Sequence, residues 1–490
     1  SMIDALRTAN ALGREEGTWV LAQAADLSTI TLGIPDSIHG VILARLDRLP
    51  DTHKPTIKVA SVIGYSFELG LLAQVHPAHP LPATLISQAS TLTERDFIVP
   101  DYSMSGPLHD PLVHDEENDG RYTFRQQATQ EVSYETLLFT QRRELHRHLA
   151  ELLEQQSPEA IDQIAYHAYL GEDWARSLRY HLLAGIGDKS LFANMQSMDH
   201  FRKALASAER LPPEETLAQR RQIHAELGEL LLTVGQRDAA GEHLRASLQM
   251  AEEQGDLEAQ ANACRWIARA HELAGEYQPS LEWIDRGLAV LGERLTPASL
   301  ELHLIAGLIH SRRGEYTNAR RQALASLLAA EELGQPSIVA RAHNLLGTID
   351  RLRGNLDAAA EHFQESLTLY REIGNLQGQA LAQNSLANAL FDLGRWSEAD
   401  RYYHEAGRTF NQLGNVYNRV FVDNNLGGIA LNQGRLDDAL LYYHRALRAL
   451  EQIGGSLWVM GVLTLNLGAA YVKRDESRLG FEYLERARDL

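Results

Sequence analysis

A glycine recurs at nearly constant spacing through the second half of this 490-residue chain. Successive copies are separated by 40, 39, 40, 40 and 40 residues, and text similar to GNLDAA surrounds each of them. The six copies are Gly235, Gly275, Gly314, Gly354, Gly394 and Gly434. A fixed period of about 20 to 50 residues is typical of proteins built from stacked structural repeats. The spacing therefore predicts a solenoid, an architecture that builds binding grooves and rarely carries catalytic groups.

Small residues at fixed distances from each glycine predict pairs of closely packed antiparallel helices. Seven residues before the glycines lie Gly228, Ala268, Gly307, Gly347, Ala387 and Gly427. Five residues after them lie Ala240, Ser280, Ala319, Ala359, Ala399 and Ala439. Nine residues after the last three lie the aromatic residues Phe363, Tyr403 and Tyr443, which should fill the core, whereas Tyr402 and Tyr442 should show only an edge. Each glycine suits the left-handed residue that ends a helix.

This spacing resembles the tetratricopeptide repeat. The period is longer than the usual length of about 34 residues and resembles a variant with LGN-like turns, which here read EIGN at 372–375 and QLGN at 412–415. A last unit has GAAYVKRDES in place of the glycine turn. We predict a mainly α fold in which residues 216–490 form about seven such repeats, with the array continuing past Leu490. Residues 151–215 should be degenerate helical repeats that end at the LPPEE boundary.

Residues 35–150 have a different pattern. Pro35 begins a helix that Asp36 or Ser37 can cap, and helices are also expected over HKPTIKVASVIG and FELGLLAQV. Short strands are expected at the end of LISQASTLTERDFIV and at YTF, residues 122–124, before two further helices. Three helices followed by a two-stranded wing predict a winged-helix-like domain.

The segments IPDSIHGVILARLDRLP and YTFRQQATQEVSYETLLFTQRRELHRHLAELLE resemble a region of bacterial STAND-type signal-transduction ATPases. In that family the region follows the nucleotide-binding core and precedes a tetratricopeptide array. The resemblance implies that residues 1–34 are the remnant of a lid or linker after an NTPase core, and that 35–150 form an arm. It implies ATP and Mg²⁺ for that core alone, and a cytoplasmic regulator as the parent protein.

Motifs for catalysis are missing from the sequence. A phosphate-binding loop needs G-x-x-x-x-G-K-[ST], and the nearest text, Gly187 to Ser190, lacks the first glycine. The sequence has no H-E-x-x-H, C-x-x-C, G-x-S-x-G or dinucleotide fingerprint. We therefore expect no enzyme, cofactor or metal site in this part of the parent protein. His146 and His148 should lie at the surface, and an acidic loop, rather than a metal site, is expected around His109, Asp110, His114, Asp115 and Glu116.

Charge and apolar content limit the partners. A net charge of -19 argues against nucleic acid, including DNA binding by the winged helix, because phosphate binding needs a basic face. No apolar run approaches the roughly 18 residues of a membrane span. The single cysteine, Cys264, lies in the apolar text ANACRWIARA and should be a buried structural thiol.

The candidate binding residues lie ten positions before three of the glycines: Asn344, Asn384 and Asn424. Asn388 is one helical turn beyond Asn384, and Arg341 and Arg351 flank Asn344. In the tetratricopeptide pattern this row faces the concave groove, where amides and guanidinium groups can hold a backbone or a carboxylate. We predict a groove for a peptide, a protein or a small effector, with the parent's NTPase domain as a further partner.

Two alternatives remain open at this stage. The asparagines can instead cap turns or bond between neighbouring helices. The whole array can instead be a structural scaffold that mediates oligomerisation or protein-protein assembly.

Overall fold

The computed structural model describes residues 12–15, 18–21, 36–101, 120–453 and 457–490. It divides into two compact units, Ser1–Tyr180 and His181–Leu490. The described residues form 23 helices and five short strands, so the mainly α fold predicted from the sequence is confirmed.

The first unit combines helices with two small sheets. Strands β1 and β2 pair in antiparallel fashion, and a second sheet has the order β3-β5-β4. The elements are β1 Leu12–Glu15, β2 Thr18–Leu21, α1 Asp36–Asp47, α2 Lys54–Ile63, β3 Ser66–Glu68, α3 Leu69–Val75, α4 Pro82–Glu94, β4 Ile98–Pro100, β5 Arg121–Phe124, α5 Gln127–Glu135, α6 Phe139–Gln156 and α7 Ile161–Leu170. Helix α8, Trp174–Ser190, begins in this unit.

The three-stranded sheet differs from the predicted two-stranded wing. The helix expected over FELGLLAQV begins only at Leu69, because β3 takes the residues before it. Phe67 is buried while its two neighbours are exposed, which is the alternation of a half-buried strand. It is the register partner of Tyr122, and its ring centroid lies 5.7 Å from that of Phe124. The helix predicted around FELGLLAQV is confirmed at Leu69–Val75, whereas the helical interpretation of Phe67 and Glu68 was wrong. The winged-helix assignment stays a prediction.

His146 is buried, so the prediction that it lies at the surface was wrong. Its ring is 1% exposed; Nδ1 lies 2.8 Å from Nδ1 of His167, and Nε2 lies 3.0 Å from the Tyr134 hydroxyl. Burial, with His167 and Arg142 nearby, lowers the pKa of His146 to about 3. Because both ring nitrogens have partners, the imidazole can stay neutral in the core. His148 is exposed, as expected.

The second unit is a stack of helical pairs. After the end of α8 come α9 Asn194–Ala208, α10 Pro213–Thr233, α11 Arg237–Gln254, α12 Leu257–Ala274, α13 Tyr277–Leu291, α14 Pro297–Arg312, α15 Tyr316–Glu332, α16 Pro336–Leu352, α17 Leu356–Glu372, α18 Leu376–Asp392, α19 Trp396–Gln412, α20 Val416–Asn432, α21 Leu436–Gln452, α22 Leu457–Lys473 and α23 Ser477–Asp489. Seven pairs run from α10–α11 to α22–α23, and the repeat glycines join the two helices of the first six.

The repeat glycines adopt the predicted left-handed conformation. Their φ angles are +85°, +79°, +76°, +83°, +76° and +75°, in chain order. At Gly354 the turn is closed by amides: Gly354 N–H donates to the Arg351 carbonyl, and Asn355 N–H donates to the Asp350 carbonyl. Asp475 takes the same place in the last pair at φ +63°, and Phe192 does so between α8 and α9 at φ +61°. The pair α8–α9 therefore ends its first helix in the same way as the regular repeats.

The small residue seven positions before each turn allows the two helices to touch. A Cβ added to Gly347 would lie 2.8 Å from the ring of Phe363, and one added to Gly427 would lie 2.5 Å from that of Tyr443. Both aromatic rings are almost fully buried. The predicted close approach is confirmed, and glycine is required there because a methyl group would displace the ring.

The connections between pairs explain the LGN-like turns. Oδ1 of Asn375 accepts from the amide of Gly378 at 2.8 Å, and Oδ1 of Asn415 accepts from the amide of Asn418 at 3.1 Å. Asparagine is a favoured residue at this position because its side chain satisfies an otherwise unpaired amide of the first helical turn. The turn therefore ends one repeat with glycine and begins the next with an asparagine cap.

Histidine pairs join the two helices of several repeats. They lie eleven residues before and eight residues after the turn residue. The Nδ1 atoms are 2.9 Å apart in His181–His200, 2.9 Å apart in His224–His243 and 3.1 Å apart in His343–His362. In the pair α14–α15 the same positions hold His303 and Gln322, with Nδ1 2.8 Å from Oε1. Each contact needs at least one unprotonated imidazole nitrogen or an amide oxygen as acceptor.

Cys264 lies at the first of these positions in the pair α12–α13 and is fully buried. Burial raises the pKa of its thiol to about 11. The prediction of a buried structural thiol is confirmed, because such a group is almost entirely protonated at neutral pH.

Candidate functional site

The concave side of the second unit contains a cavity of about 620 Å³. Its walls come mainly from the first helices of six consecutive pairs, α10, α12, α14, α16, α18 and α20. First helices face inward because the small residues of each pair place the second helix behind them. A cavity of this volume is of the size that holds a small organic ligand.

Residues far apart in the sequence close the cavity. A Cβ added to Gly235 would lie 3.3 Å from the carbonyl oxygen of Ile453, so the first turn of the array meets the end of the sixth pair. Tyr417, at the start of α20, lies within electrostatic reach of Arg269 and Glu272 on α12, and burial raises the pKa of its hydroxyl. The sixth pair therefore returns to the first two, and the array surrounds a cavity that stays partly open.

The cavity is lined by more positive than negative side chains. Arg237, Arg265, Arg269 and Arg341 contribute to the wall, and Glu229 is the one carboxylate among its described lining residues. Glu229 Oε2 lies 2.9 Å from Nζ of Lys189, which is shared with Glu226 at 2.7 Å. A positive cavity is notable in a chain of net charge -19.

The four arginines differ in their partners. Arg269 forms an ion pair with the buried Glu272, which also pairs with Arg312, and Arg341 pairs with Glu301. Arg237 and Arg265 have no carboxylate within ion-pair distance among the residues that the structure describes.

Arg265 lies over an aromatic ring. Its guanidinium is 4.3 Å from the centroid of Trp266, and its Nε donates to Oδ1 of Asn262 at 2.9 Å. Burial lowers its pKa; the carboxylate of Glu301 opposes this effect, and the nearby charge of Arg341 adds to it.

The predicted binding residues separate into two groups. Arg341, Asn344 and Asn384 line the cavity. Arg351, Asn388 and Asn424 are not part of its wall. Nδ2 of Asn344 is buried and has no hydrogen-bond partner among the described residues, whereas its Oδ1 accepts from Ser385 at 3.4 Å.

The asparagines also bond from one repeat to the next. Nδ2 of Asn425 donates to Oδ1 of Asn388 at 3.0 Å, and Nδ2 of Asn466 donates to Oδ1 of Asn424 at 2.8 Å. Asn384 Oδ1 accepts a longer bond, 3.4 Å, from the same Asn425 amide. These contacts are the interhelical bonds of the alternative interpretation, so the structure brings most of the row together as a ladder between first helices. The ligand role of the row stays a prediction.

Arg351 and Asn388, which are not part of the cavity wall, have other contacts. Arg351 Nη1 lies 2.8 Å from Oδ2 of Asp392 in the next repeat. The hydroxyl of Tyr403 donates to Oδ1 of Asn388 at 2.6 Å. Arg351 therefore joins α16 to α18, and Asn388 joins α18 to α19.

The sequence also contains a signal for Arg265. Arg265 lies ten residues before Gly275, at the position that Asn344, Asn384 and Asn424 occupy in later repeats. Following the row toward the N-terminus would have placed Arg265 in the cavity. Tyr417 had no such signal, because its place depends on the return of the sixth pair.

The described part of the chain contains no group of three or more histidine, cysteine, aspartate or glutamate residues able to hold a metal ion. The acidic segment that includes His109, Asp110, His114, Asp115 and Glu116 lies outside the described residues. Among the helices described, none combines the length and the apolar content needed to cross a membrane.

Comparisons with known proteins identify the repeats. Residues 299–372, and then 379–406 and 424–453, match two family models that are both described as tetratricopeptide repeat. No curated protein gives a significant sequence match to the chain.

Two solved structures are among those similar to this chain. A Rap protein complexed with competence and sporulation factor has a TM-score of 0.51 and 14% identity, with 72% of this chain and 92% of that chain covered. A signal transduction ATPase with numerous domains and a tetratricopeptide repeat sensor, from Pyrococcus horikoshii, has a TM-score of 0.48 and 12% identity, with 92% of this chain covered. The present chain spans 64% of the length of that protein. Together with the helical pairs, the family matches show that the second unit is an α-solenoid of tetratricopeptide repeats.

Proposed function

We propose that residues 181–490 are the non-catalytic sensor region of a larger bacterial signal-transduction ATPase, and that the cavity binds the effector. The observation that carries the proposal is the partly enclosed space of about 620 Å³ on the concave side, with polar donors in its wall. A scaffold that only joins proteins through its outer faces needs no such interior.

The resemblance of residues 35–150 to the arm of STAND-type ATPases supplies the proposed context. In that arrangement the array would report the effector to an NTPase core that precedes it. The Rap protein of similar fold was solved with competence and sporulation factor, so an array of this fold can hold a signalling factor. An effector would act by binding one arrangement of the parent protein more tightly than another.

A pair of variants tests the proposal. Thr348 lines the cavity on α16, and its hydroxyl donates to the carbonyl four residues earlier at 2.9 Å. Thr368 makes the same contact at 3.0 Å on the exposed side of α17. Thr348→Phe should fill part of the cavity, whereas Thr368→Phe is the matched control with the same change on a helix surface.

A panel of metabolites and short peptides is then tested for thermal stabilisation of the purified chain. We expect at least one compound that stabilises the wild type and Thr368→Phe but stabilises Thr348→Phe much less. If every stabilising compound acts equally on all three proteins, or if no compound stabilises the wild type, the cavity is not the effector site.

A further inference from the structure

We infer that the cavity binds a small organic anion, with a carboxylate or phosphate group held by its arginines and an apolar body held by its aromatic and aliphatic wall. This inference rests on the proposed function, since it names the chemical class of the effector. It excludes a folded protein as the occupant, because a space of about 620 Å³ holds only a small molecule or the end of a peptide.

The first support is positive charge that the carboxylates of the protein, among them Glu301 and Glu229 near Arg265, compensate only in part. Glu272 is 1% exposed and is shared by Arg269 and Arg312, so that group keeps an excess positive charge. Arg237 and Arg265 add two guanidinium groups that have no ion-pair partner among the described residues. Guanidinium groups held together in a partly enclosed space repel each other, and an anion placed among them removes that cost.

The second support is the geometry of the donors. A guanidinium offers several N–H groups in one plane, which match the oxygens of a carboxylate or a phosphate. Arg265 uses Nε for Asn262 and stacks on Trp266, so its orientation is fixed while its terminal nitrogens stay available to a ligand. Nδ2 of Asn344 is a buried donor without a partner among the described residues. A buried donor of this kind is costly unless a ligand accepts its hydrogen bond.

The third support is the apolar part of the wall. Trp266, Leu304, Leu308 and Tyr417 line the same cavity. An inorganic anion would leave these side chains without contacts, whereas a ligand with an aromatic or aliphatic body would cover them. The lining therefore fits a molecule that is charged at one end and apolar at the other.

Three probes of similar size test the inference. Phenyl phosphate carries the phosphate group, phenylacetate carries the carboxylate, and benzyl alcohol is the neutral analogue. Binding to the chain is measured by calorimetry and by tryptophan fluorescence at constant ionic strength, with each probe at up to about 10 mM, since small ligands bind weakly. We expect at least one anion to bind at least tenfold more tightly than benzyl alcohol, and the stronger of the two anions identifies the acidic group.

Two arginine variants locate the binding. Arg265→Gln should weaken the anion at least tenfold, because a charge-assisted hydrogen bond is lost. Arg286→Gln is the matched control: Arg286 also stacks on a tryptophan, Trp283, at 4.9 Å, but lies outside the cavity. It should leave the affinity unchanged.

Several results would overturn the inference: no binding of either anion, equal binding of benzyl alcohol, or equal anion affinity in wild type and Arg265→Gln. These results are distinguishable from failure of the proposed function. If a neutral compound binds and Thr348→Phe abolishes its binding, the cavity is still an effector site and only its preference for anions is wrong.

Discussion

Replacement of His243 by glutamine should make the repeat array less sensitive to acid. In the wild type, Nδ1 of His224 on α10 lies 2.9 Å from Nδ1 of His243 on α11. One nitrogen must accept the proton that the other donates, so the contact is lost when both rings are protonated. His303 and Gln322 make the equivalent contact in the pair α14–α15, which shows that an amide fits the second position.

The magnitude follows from the shift of His224. Burial, with His243 and Arg220 adding to it, lowers the pKa of His224 to about 4, whereas an unfolded histidine has a pKa of about 6.5. A lowered pKa means that the unfolded state binds more protons, so this stability is fully present above pH 6.5 and is lost as the pH falls toward 4. Between pH 6.5 and pH 5, an interval of about 1.5 pH units, this group lowers the free energy of unfolding by roughly 2 kcal/mol. Burial also lowers the pKa of His243, which adds to the loss in the same direction.

The assay is urea unfolding at pH 7.5 and pH 5.0, followed by circular dichroism, with hydrogen exchange of α10 and α11 to localise the change. In His243→Gln the amide oxygen can accept from a protonated His224 and the charge of His243 is absent, but burial of His224 remains. The loss between the two pH values should therefore be smaller than in the wild type by only part of that roughly 2 kcal/mol. His148→Gln, which removes an exposed ring, is the control and should match the wild type. Equal acid sensitivity in His243→Gln and the wild type would refute the argument.

Two further substitutions test the packing and the charges of the array. Gly347→Ala should lower the free energy of unfolding by about 1–3 kcal/mol in a urea titration, because the added methyl group would meet Phe363. Gly187→Ala is the control: it lies on an exposed helical surface, and a Cβ added there would have no neighbouring atom within 4 Å, so the change should be neutral or stabilising. Asp423→Asn should cost about 1.5–3 kcal/mol, because the buried Asp423 accepts from Arg445 at 2.6 Å and also pairs with Arg419, while the Arg445 side chain keeps partial contact with solvent. An exposed ion pair contributes less than about 1 kcal/mol. A cost below that of an exposed pair would show that the buried contact does not stabilise the array.

The repeat was predictable because its signals are local. A turn glycine, a small residue seven positions earlier and an aromatic nine positions later all lie within one helical pair, and the packing of Gly347 on Phe363 satisfies all of them together. The strand Ser66–Glu68 was not predictable in this way. Its apolar text also suits the helix that follows, and its pairing partner, β5, lies more than 50 residues away.

The candidate site was only partly predictable from the sequence. The asparagine row was found because it follows the period, and the structure places Asn344 and Asn384 at the cavity while Asn388 and Asn424 bond to the next repeat. Period alone does not separate these outcomes. A residue on the concave face either lines the cavity or contacts a residue of the next repeat. Which of the two occurs depends on the length of its side chain and on the distance between neighbouring first helices.

The enclosure of the cavity depends on a property that no single repeat contains. Each pair is rotated slightly from the previous one, and these rotations add along a solenoid. Over five steps the sum brings Gly235 back to the carbonyl of Ile453 and Tyr417 back to α12. A small change of rotation in every repeat would therefore move the two ends apart without altering any local contact. The sequence pattern specifies the helical pair, but whether the array encloses a cavity or leaves an open groove is decided by this accumulated angle.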